Sequence, residues 1–175
     1  KVLFNGNNIE ENINFKNYLN RLGYKFKNSD YEFGGYLILK DKKTCLVMDV
    51  GSVPNLNYTK DYQSGALSFE ILSNGKKLIT NCGYYKKNYK LNHISKSSAV
   101  HSTLIIDDNS SCKFSKINNN YLVKKGLKII DKKIIYKKDY WEITASHNGY
   151  IKKYNSIHER KIEFYPKKMT FIGID

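Results

Sequence analysis

The stretch SSAVHSTLIIDD, residues 97–108, places His101 where small polar residues give way to an apolar run. An imidazole in this position can ligate a metal or move a proton, and it can equally bond a neighbouring carbonyl at the end of a buried strand. The residues alone favour the carbonyl bond. His93, His147 and His158 are far apart in sequence, so any metal site would have to be assembled by the fold.

The other histidines each have a structural explanation beside a functional one. His93 lies in a basic loop and could meet an anionic ligand, although a solvated imidazole is the commoner case. His147 precedes Asn148 and Gly149, a turn dipeptide, so it is expected to flank a hairpin. His158 alternates with apolar neighbours and is expected at a surface or edge.

Tyrosines beside lysines form a second pattern with chemical potential. The chain has 15 tyrosines, and YYKKNYK at 84–90 and YIKKYN at 150–155 interleave them with lysine. Aromatic rings with basic neighbours suit acidic sugars and single-stranded nucleic acid. Because tyrosine also favours strands, any single tyrosine has a structural explanation as well.

The charge balance points to anionic partners. Thirty Lys and Arg against sixteen Asp and Glu give a formal charge of +14, which would attract nucleic acid, anionic polysaccharide or a membrane surface. Solvated lysines on turns are the structural alternative. GxSxG, HExxH, Walker and GxGxxG patterns are absent, and Cys45, Cys82 and Cys112 lack CxxC spacing, so a zinc knuckle is disfavoured.

The periodicity predicts one helix followed by many strands. Apolar spacing predicts a helix over 8–22 that Gly23 stops. Strands are predicted at 35–40 and 44–50. Asn74 and Gly75 predict a tight hairpin, whose strand-like flanks are Leu67, Phe69, Ile71 and residues 78–80. Further strands are predicted at 100–107, 120–124, 127–130, 133–137, 140–146, 149–154, 157–164 and 169–174.

This spacing of short strands predicts a mainly β fold, a two-layer antiparallel sandwich with a short N-terminal helix. Long polar loops are expected at 57–66 and 84–97, and loops of that length are often functional. No apolar stretch approaches the length of a membrane-spanning helix. The predicted core includes Leu67, Phe69, Ile71, Leu104, Ile106 and Trp141.

Four segments in order resemble the C-terminal β-sandwich domain of heparinase II/III-like proteins, a supersandwich-like fold. They are LVMDVG at 46–51, LSFEILSNGKKLITNCG at 67–83, KSSAVHSTLIIDD at 96–108 and WEITASHNGYIKKYNSIHERKIEF at 141–164. The resemblance implies a sandwich domain over 33–175, and it implies that 1–32 is a helical connecting segment from an α/α toroid domain that is missing from this sequence.

The resemblance also implies a site that this chain alters. Relatives carry a His-x-His-x-Asp stretch, of which the first His takes part in catalysis, and the second His, an Asp on the next strand and a later His bind a metal, commonly zinc. Here the stretch falls on 61–65, with Asp61 and Gln63 at the histidine positions, and the next-strand Asp falls on Asn81. His101 retains the last ligand, so no zinc is expected, and His101 is expected to bond Asn81 or Gln63 instead.

The resemblance implies a polysaccharide lyase acting on uronate-containing polysaccharide by β-elimination, with this chain inactive alone. A non-catalytic module that binds anionic glycans or mediates interactions is the alternative, and a nucleic-acid binder is less favoured. The resemblance further implies a bacterial protein of the periplasm or cell envelope, with the cytoplasm left open. The candidate substrate-binding residues are Tyr62, Tyr84, Tyr85, Lys86, Lys87, His93, Lys96 and His147.

Overall fold

The computed structural model describes residues 9–24, 31–83, 89–117 and 120–175. Its helices are α1 Ile9–Arg21, α2 Tyr89–Ile94 and α3 Ile151–Tyr154. The strands in chain order are β1 Glu32–Phe33, β2 Tyr36–Lys40, β3 Thr44–Asp49, β4 Phe69–Ser73, β5 Lys76–Ile79, β6 Lys113–Ile117, β7 Asn120–Lys125, β8 Ile129–Lys137, β9 Tyr140–His147, β10 His158–Tyr165 and β11 Thr170–Ile174.

The strands form two antiparallel layers and a separate hairpin. One sheet has the order β1-β2-β3-β4-β5 and the other has the order β11-β10-β9-β8, while β6 pairs with β7. Alternate residues of each sheet face inward, as the burial of Leu37, Leu39, Leu46 and Met48 shows on β2 and β3. The predicted antiparallel β-sandwich with a short N-terminal helix is confirmed.

The main core lies between the two sheets. Trp141 and Phe164 pack edge to face with ring centroids 4.8 Å apart, and Phe171 stacks on Phe164 at 4.2 Å. The predicted core residues Leu67, Ile71 and Trp141 are buried there, and Phe69 packs partly against it. Leu104 and Ile106 are only half-buried, so their prediction as core residues was wrong.

The hairpin predicted at Asn74–Gly75 is present. Asn74 has φ 49° and Gly75 has φ 77°, as a primed turn requires at both central residues. The predicted strands at 127–130 and 133–137 are one strand, β8, with a register shift between Ile129 and Asp131. The predicted loops contain a 3-10 turn at Leu56–Tyr58 and helix α2, and β1 and β6 were not predicted.

The predicted strand over 100–107 was wrong. Ser98–Val100 forms a 3-10 turn, and the rest turns back on itself through a single bridge between Ile106 and Asn109. Side chains satisfy the backbone groups that a neighbouring strand would otherwise bond: Tyr150 donates its hydroxyl to the Leu104 carbonyl at 2.7 Å.

The predicted strand over 149–154 is replaced by helix α3, which ends at Asn155 in a left-handed conformation with φ 51°. Tyr150 and Tyr154 lie four residues apart, which is also the spacing of one helix face. Both hydroxyls bond carbonyls of the 104–109 segment.

The helices and the cysteines have two further properties that bear on function. Among the described residues, none of the helices has the length and apolar content that a membrane crossing requires. Cys45, Cys82 and Cys112 are unpaired thiols, and of these only Cys112 is buried.

Candidate functional site

The first candidate site surrounds His101, which directly follows the 3-10 turn Ser98–Val100. Ser97 caps this turn by accepting a hydrogen bond from the backbone N–H of Ala99. The turn directs the imidazole inward, where its Nε2 lies 2.9 Å from the carbonyl oxygen of Ser95. A carbonyl only accepts, so Nε2 carries the proton and Nδ1 the lone pair. Burial lowers the pKa of His101, and the ring is therefore neutral at pH 7.

His101 does not bond Asn81 or Gln63, and the expectation that it would was wrong. Gln63 instead donates from Nε2 to the Ser95 hydroxyl at 3.0 Å, while His101 bonds the carbonyl of the same serine. Ser95 is buried and fixed by a bond from its hydroxyl to the Asn92 carbonyl. The fold thus gathers Gln63 and His101 at one serine, which nothing in the sequence had singled out.

Gly65 lies beside the imidazole of His101. A Cβ atom at Gly65 would be in ordinary van der Waals contact with Cγ of His101 at 3.5 Å, and tighter than ordinary against the hydroxyl of Ser68 at 3.2 Å. The backbone of the altered motif therefore lies directly against the imidazole. Thr103 secures this contact by donating its hydroxyl to the Ala66 carbonyl at 2.7 Å.

Asn81 bonds the backbone beside His101 and not its side chain. Its Oδ1 accepts from the Ser102 N–H at 2.7 Å, its Nδ2 donates to the Phe69 carbonyl at 3.3 Å, and its own N–H bonds Oε1 of Glu70 at 3.0 Å. Both ends of the amide are occupied. Asn81 therefore fixes the turn that carries His101.

The residues at these positions do not match the donor set of zinc. Gln63 and Asn81 offer amide groups that are already bonded, and His101 commits Nε2 to a carbonyl. Within the described residues, no cluster of three or more His, Cys, Asp or Glu side chains could hold a metal ion. The arrangement is a hydrogen-bonded cluster that positions one neutral imidazole.

Asp61 and Tyr62, at two further positions of the altered stretch, differ in their exposure to solvent. Asp61 is exposed to solvent. Tyr62 is half-buried and packs against a small cluster of Ala66, Cys112, Val123 and Leu127. Burial raises the pKa of its hydroxyl, so Tyr62 stays protonated and contributes packing at this point of the fold.

His147 lies in a different place, inside the sandwich. It is 0% exposed, its Nδ1 accepts from the Gly149 N–H at 3.0 Å, and its Nε2 lies 3.1 Å from Nδ1 of His158. His158 Nε2 in turn lies 2.9 Å from Asp175 Oδ1. One proton per ring satisfies every contact if each imidazole donates from Nε2. Burial, with like-charge contributions from His158 and Arg160, lowers the pKa of His147 to about 3.

Arg160 extends this buried chain towards the His101 turn. Its Nε and Nη2 donate to the two carboxylate oxygens of Asp175, each at 2.6 Å, and its Nη1 donates to the carbonyls of Leu67 and Ser102. Arg160 and His158 hold the pKa of Asp175 below its ordinary value despite burial. The network joins β9, β10 and Asp175 to the loops that carry Gln63 and His101.

His93 and Lys96 lie on a groove of about 980 Å³ beside the His101 cluster. Lys96 is nearly buried, and its ammonium donates to the carbonyls of Lys60 and Tyr62, so it joins the altered stretch to the groove wall. His93 is exposed, and its ring contacts that of Tyr121 at a tilt of 50°, with ring centroids 4.2 Å apart. Tyr84, Tyr85, Lys86 and Lys87 lie outside the described residues.

Solved structures of other proteins share this fold. The fold is similar to the heparan sulfate lyase HepC from Pedobacter heparinus, at 15% identity and TM-score 0.61 over 90% of this chain. It is also similar to a crystal structure of heparinase III, at 18% identity and TM-score 0.60 over 91% of this chain. A third structure, of a gene product described as heparinase III with methylated lysines, matches at 14% identity and TM-score 0.63 over 90% of this chain.

These similarities define the class of fold, the antiparallel sandwich present in those proteins. The chain spans about a quarter of their length, 26%, 27% and 25% respectively. The family of heparinase II/III-like C-terminal domains matches residues 26–175. The chain therefore belongs to the heparinase II/III-like C-terminal family, as its four sequence segments predicted. No curated protein matches the chain.

Proposed function

We propose that this chain is the C-terminal domain of a polysaccharide lyase that acts on acidic, uronate-containing polysaccharide by β-elimination. The family match over residues 26–175 is the observation that carries the proposal. The formal charge of +14 supports it, because such a substrate carries a carboxylate on each uronate.

The chemistry of β-elimination explains why the domain would act as part of a larger protein. One group must neutralise the uronate carboxylate so that the C5 proton becomes acidic, a base must remove that proton, and an acid must protonate the leaving glycosidic oxygen. His101 is held neutral with its Nε2 proton committed to Ser95. We infer that it orients the neighbouring loop, and that the base and acid come from another domain.

The test compares this chain with a longer protein that also carries the preceding domain. Each is incubated with uronate polymers, and the ultraviolet absorbance of the new C4–C5 double bond is followed. We expect product from the longer protein and none from the 175-residue chain. Turnover by the chain alone would refute its inactivity, and a longer protein without activity on any uronate polymer would refute the lyase proposal.

The amides at Gln63 and Asn81 favour a second candidate, a domain that binds anionic glycan without cleaving it. We propose that these positions hold no zinc in either case, since amides are poor zinc ligands, and since Gln63 Nε2 and both ends of the Asn81 amide are already bonded within the protein. Elemental analysis of the same preparations tests this directly. We expect zinc well below one equivalent in the unmodified chain, and stoichiometric zinc there would contradict the proposal.

A Gln63→His, Asn81→Asp double variant is the companion measurement. It restores the imidazole and carboxylate that relatives use beside the retained His101. Zinc uptake by this variant alone would indicate that the backbone of the family site persists here without its metal.

A further inference from the structure

The groove beside the His101 cluster is formed by four separate segments. The groove is lined by residues 96–97, 108–114, 125–128 and 148–154, together with Val53 and His93. Its volume of about 980 Å³ is at the upper end of the range for small-ligand sites. The groove therefore has room for a segment of a polymeric ligand.

The charge in this groove is strongly one-sided. Six lysines line it against one carboxylate, that of Asp108. Of these, Lys96 bonds the carbonyls of Lys60 and Tyr62. The other five are exposed, and none has a described carboxylate within 4.0 Å; they are Lys113, Lys125, Lys128, Lys152 and Lys153.

Two of these lysines oppose each other directly. Lys113 on β6 pairs with Lys125 on β7 in the strand register. Like charges at directly opposed positions destabilise a sheet, and here no described carboxylate offsets the repulsion. A bound anion lying between the two ammonium groups would remove this cost.

The walls of the groove are held in place before any ligand arrives. A Cβ atom at Gly149 would lie 2.7 Å from the Ser111 carbonyl, so the segments 108–114 and 148–154 are in direct contact. Asn148 makes two hydrogen bonds with the backbone of Lys128. Its Oδ1 accepts from the Lys128 N–H at 2.8 Å, and its own N–H donates to the Lys128 carbonyl at 3.2 Å. A site that is already ordered loses less entropy on binding.

The aromatic rings in the groove favour an acidic saccharide over single-stranded nucleic acid as the ligand. The Phe114 ring has the Lys96 ammonium over it at 5.2 Å, and the Tyr154 ring has the Lys153 ammonium over it at 5.0 Å. The Tyr154 hydroxyl also bonds the Ile106 carbonyl at 3.0 Å. Single-stranded nucleic acid is bound chiefly by stacking bases on open aromatic faces, and these rings already have one face covered.

We propose that this lysine groove binds an acidic oligosaccharide, whose carboxylate or sulfate groups pair with the five exposed lysines. The binding belongs to this chain alone and needs neither a metal nor the side chains of Gln63, Asn81 and His101. The proposal rests on the proposed function for its choice of saccharide. It goes further in naming the site and its independence from the altered motif.

The test measures the affinity of the 175-residue chain for a heparan sulfate oligosaccharide by calorimetry. The site variant is Lys113→Gln, Lys125→Gln, Lys128→Gln. The matched control is Lys42→Gln, Lys76→Gln, Lys168→Gln, which removes the same charge from exposed positions outside the groove. We expect the site variant to bind about tenfold more weakly or worse, because three exposed ion pairs are lost, and the control to bind within about twofold of the unmodified chain.

Thermal unfolding shows that the site variant remains folded. It removes the Lys113–Lys125 repulsion, so its midpoint without ligand should equal or exceed that of the unmodified chain. The oligosaccharide should raise the midpoint of the unmodified chain and of the control, and should raise that of the site variant much less.

Several results would overturn the groove proposal. These are undetectable binding by the unmodified chain, equal loss of affinity in both triple variants, or equally tight binding of single-stranded DNA through the same lysines. The lyase proposal fails separately, when the longer protein forms no unsaturated product. If the groove binds the oligosaccharide but the longer protein cleaves no uronate polymer, the groove proposal holds and the lyase proposal fails. If the longer protein cleaves such a polymer but the groove does not bind the oligosaccharide, only the groove proposal fails.

Discussion

At the scale of single residues, the contacts of His147 and His158 predict that acid destabilises the protein. With one proton on Nε2 of each imidazole, the hydrogen bonds run in one direction from Gly149 through His147 and His158 to Asp175. Nδ1 of His147 faces an N–H group, so a second proton on this ring would meet a donor in place of an acceptor. The folded protein therefore resists protonation of His147.

The stability of the protein should fall as the pH is lowered from about 6.5 towards 3. The unfolded chain takes up a proton on His147 near its ordinary pKa of 6.5, whereas the folded protein does so only at about 3. Unfolding is thus accompanied by proton uptake, and the free energy of unfolding should decrease by an amount on the order of 3 kcal/mol across this range. The lowered pKa of Asp175 adds a further loss at the acid end.

Urea denaturation at a series of pH values measures this dependence. A His147→Gln variant should be less stable at pH 7 but should lose less stability on acidification, because the group that takes up the proton is gone. The matched control is His93→Gln, since His93 is exposed outside the network. An unchanged slope in the His147 variant would show that other groups cause the acid sensitivity.

The sequence identified His101 as a residue of interest but could not identify its partner. The bond to Ser95 depends on how two loops fold back, and no periodic pattern encodes that. His158 was expected at a surface or edge, yet it is buried because the register of β9 and β10 sets it directly opposite His147. Such pairing becomes visible only when the strand register is known.

At the scale of elements, the segments that could be predicted are those whose turns have a strong local conformational preference. Asn74 and Gly75 have a conformational preference strong enough to specify their hairpin from sequence. The residues over 100–107 are typical of a strand, but side chains from other parts of the chain bond the backbone of this segment. These bonds are tertiary contacts, which the local pattern does not encode. The segment at 149–154 was predicted as a strand but contains helix α3, and the hydroxyls of Tyr150 and Tyr154 bond the carbonyls of Leu104 and Ile106.

The turn between β9 and α3 depends on a close backbone approach, which predicts a specific mutational effect. In Gly149→Ala, the new Cβ would lie 2.7 Å from the Ser111 carbonyl and 3.1 Å from Nδ1 of His147, so the turn must shift. We expect a loss of about 2 kcal/mol in the free energy of unfolding. Gly173→Ala is the control, since nothing lies within 4 Å of its Cβ position, and it should change stability by less than about 0.5 kcal/mol.

Equal losses from the two glycine variants, measured by thermal or urea unfolding, would contradict the proposed contact. They would point to a general effect of alanine at glycine positions in place of a clash with Ser111.

At the scale of the whole molecule, the two sheets share one core, whereas helix α1 contributes little to it. Four apolar or aromatic side chains on α1 or directly after it are more than half exposed. They are Ile13 at 53%, Phe15 at 58%, Tyr18 at 53% and Leu22 at 62%. The edge strand β11 differs, because Phe171 stacks on the fully buried Phe164 and Asp175 joins the Arg160 network. The apolar side chains at α1 therefore stabilise the fold less than the contacts of Phe171 and Asp175 do.

Shortening the chain at either end tests this contrast. A chain of residues 31–175 should unfold in one cooperative transition, with a free energy of unfolding within about 1 kcal/mol of the 175-residue chain, because α1 buries little apolar area. A chain of residues 1–169 removes fewer residues but exposes Phe164 and leaves Arg160 without its carboxylate, so it should lose at least about 3 kcal/mol. Urea denaturation followed by the fluorescence of Trp141 compares the three chains. A large loss on removing residues 1–30 would show that the helical segment is an integral part of the sandwich, and would contradict its prediction as a connecting segment.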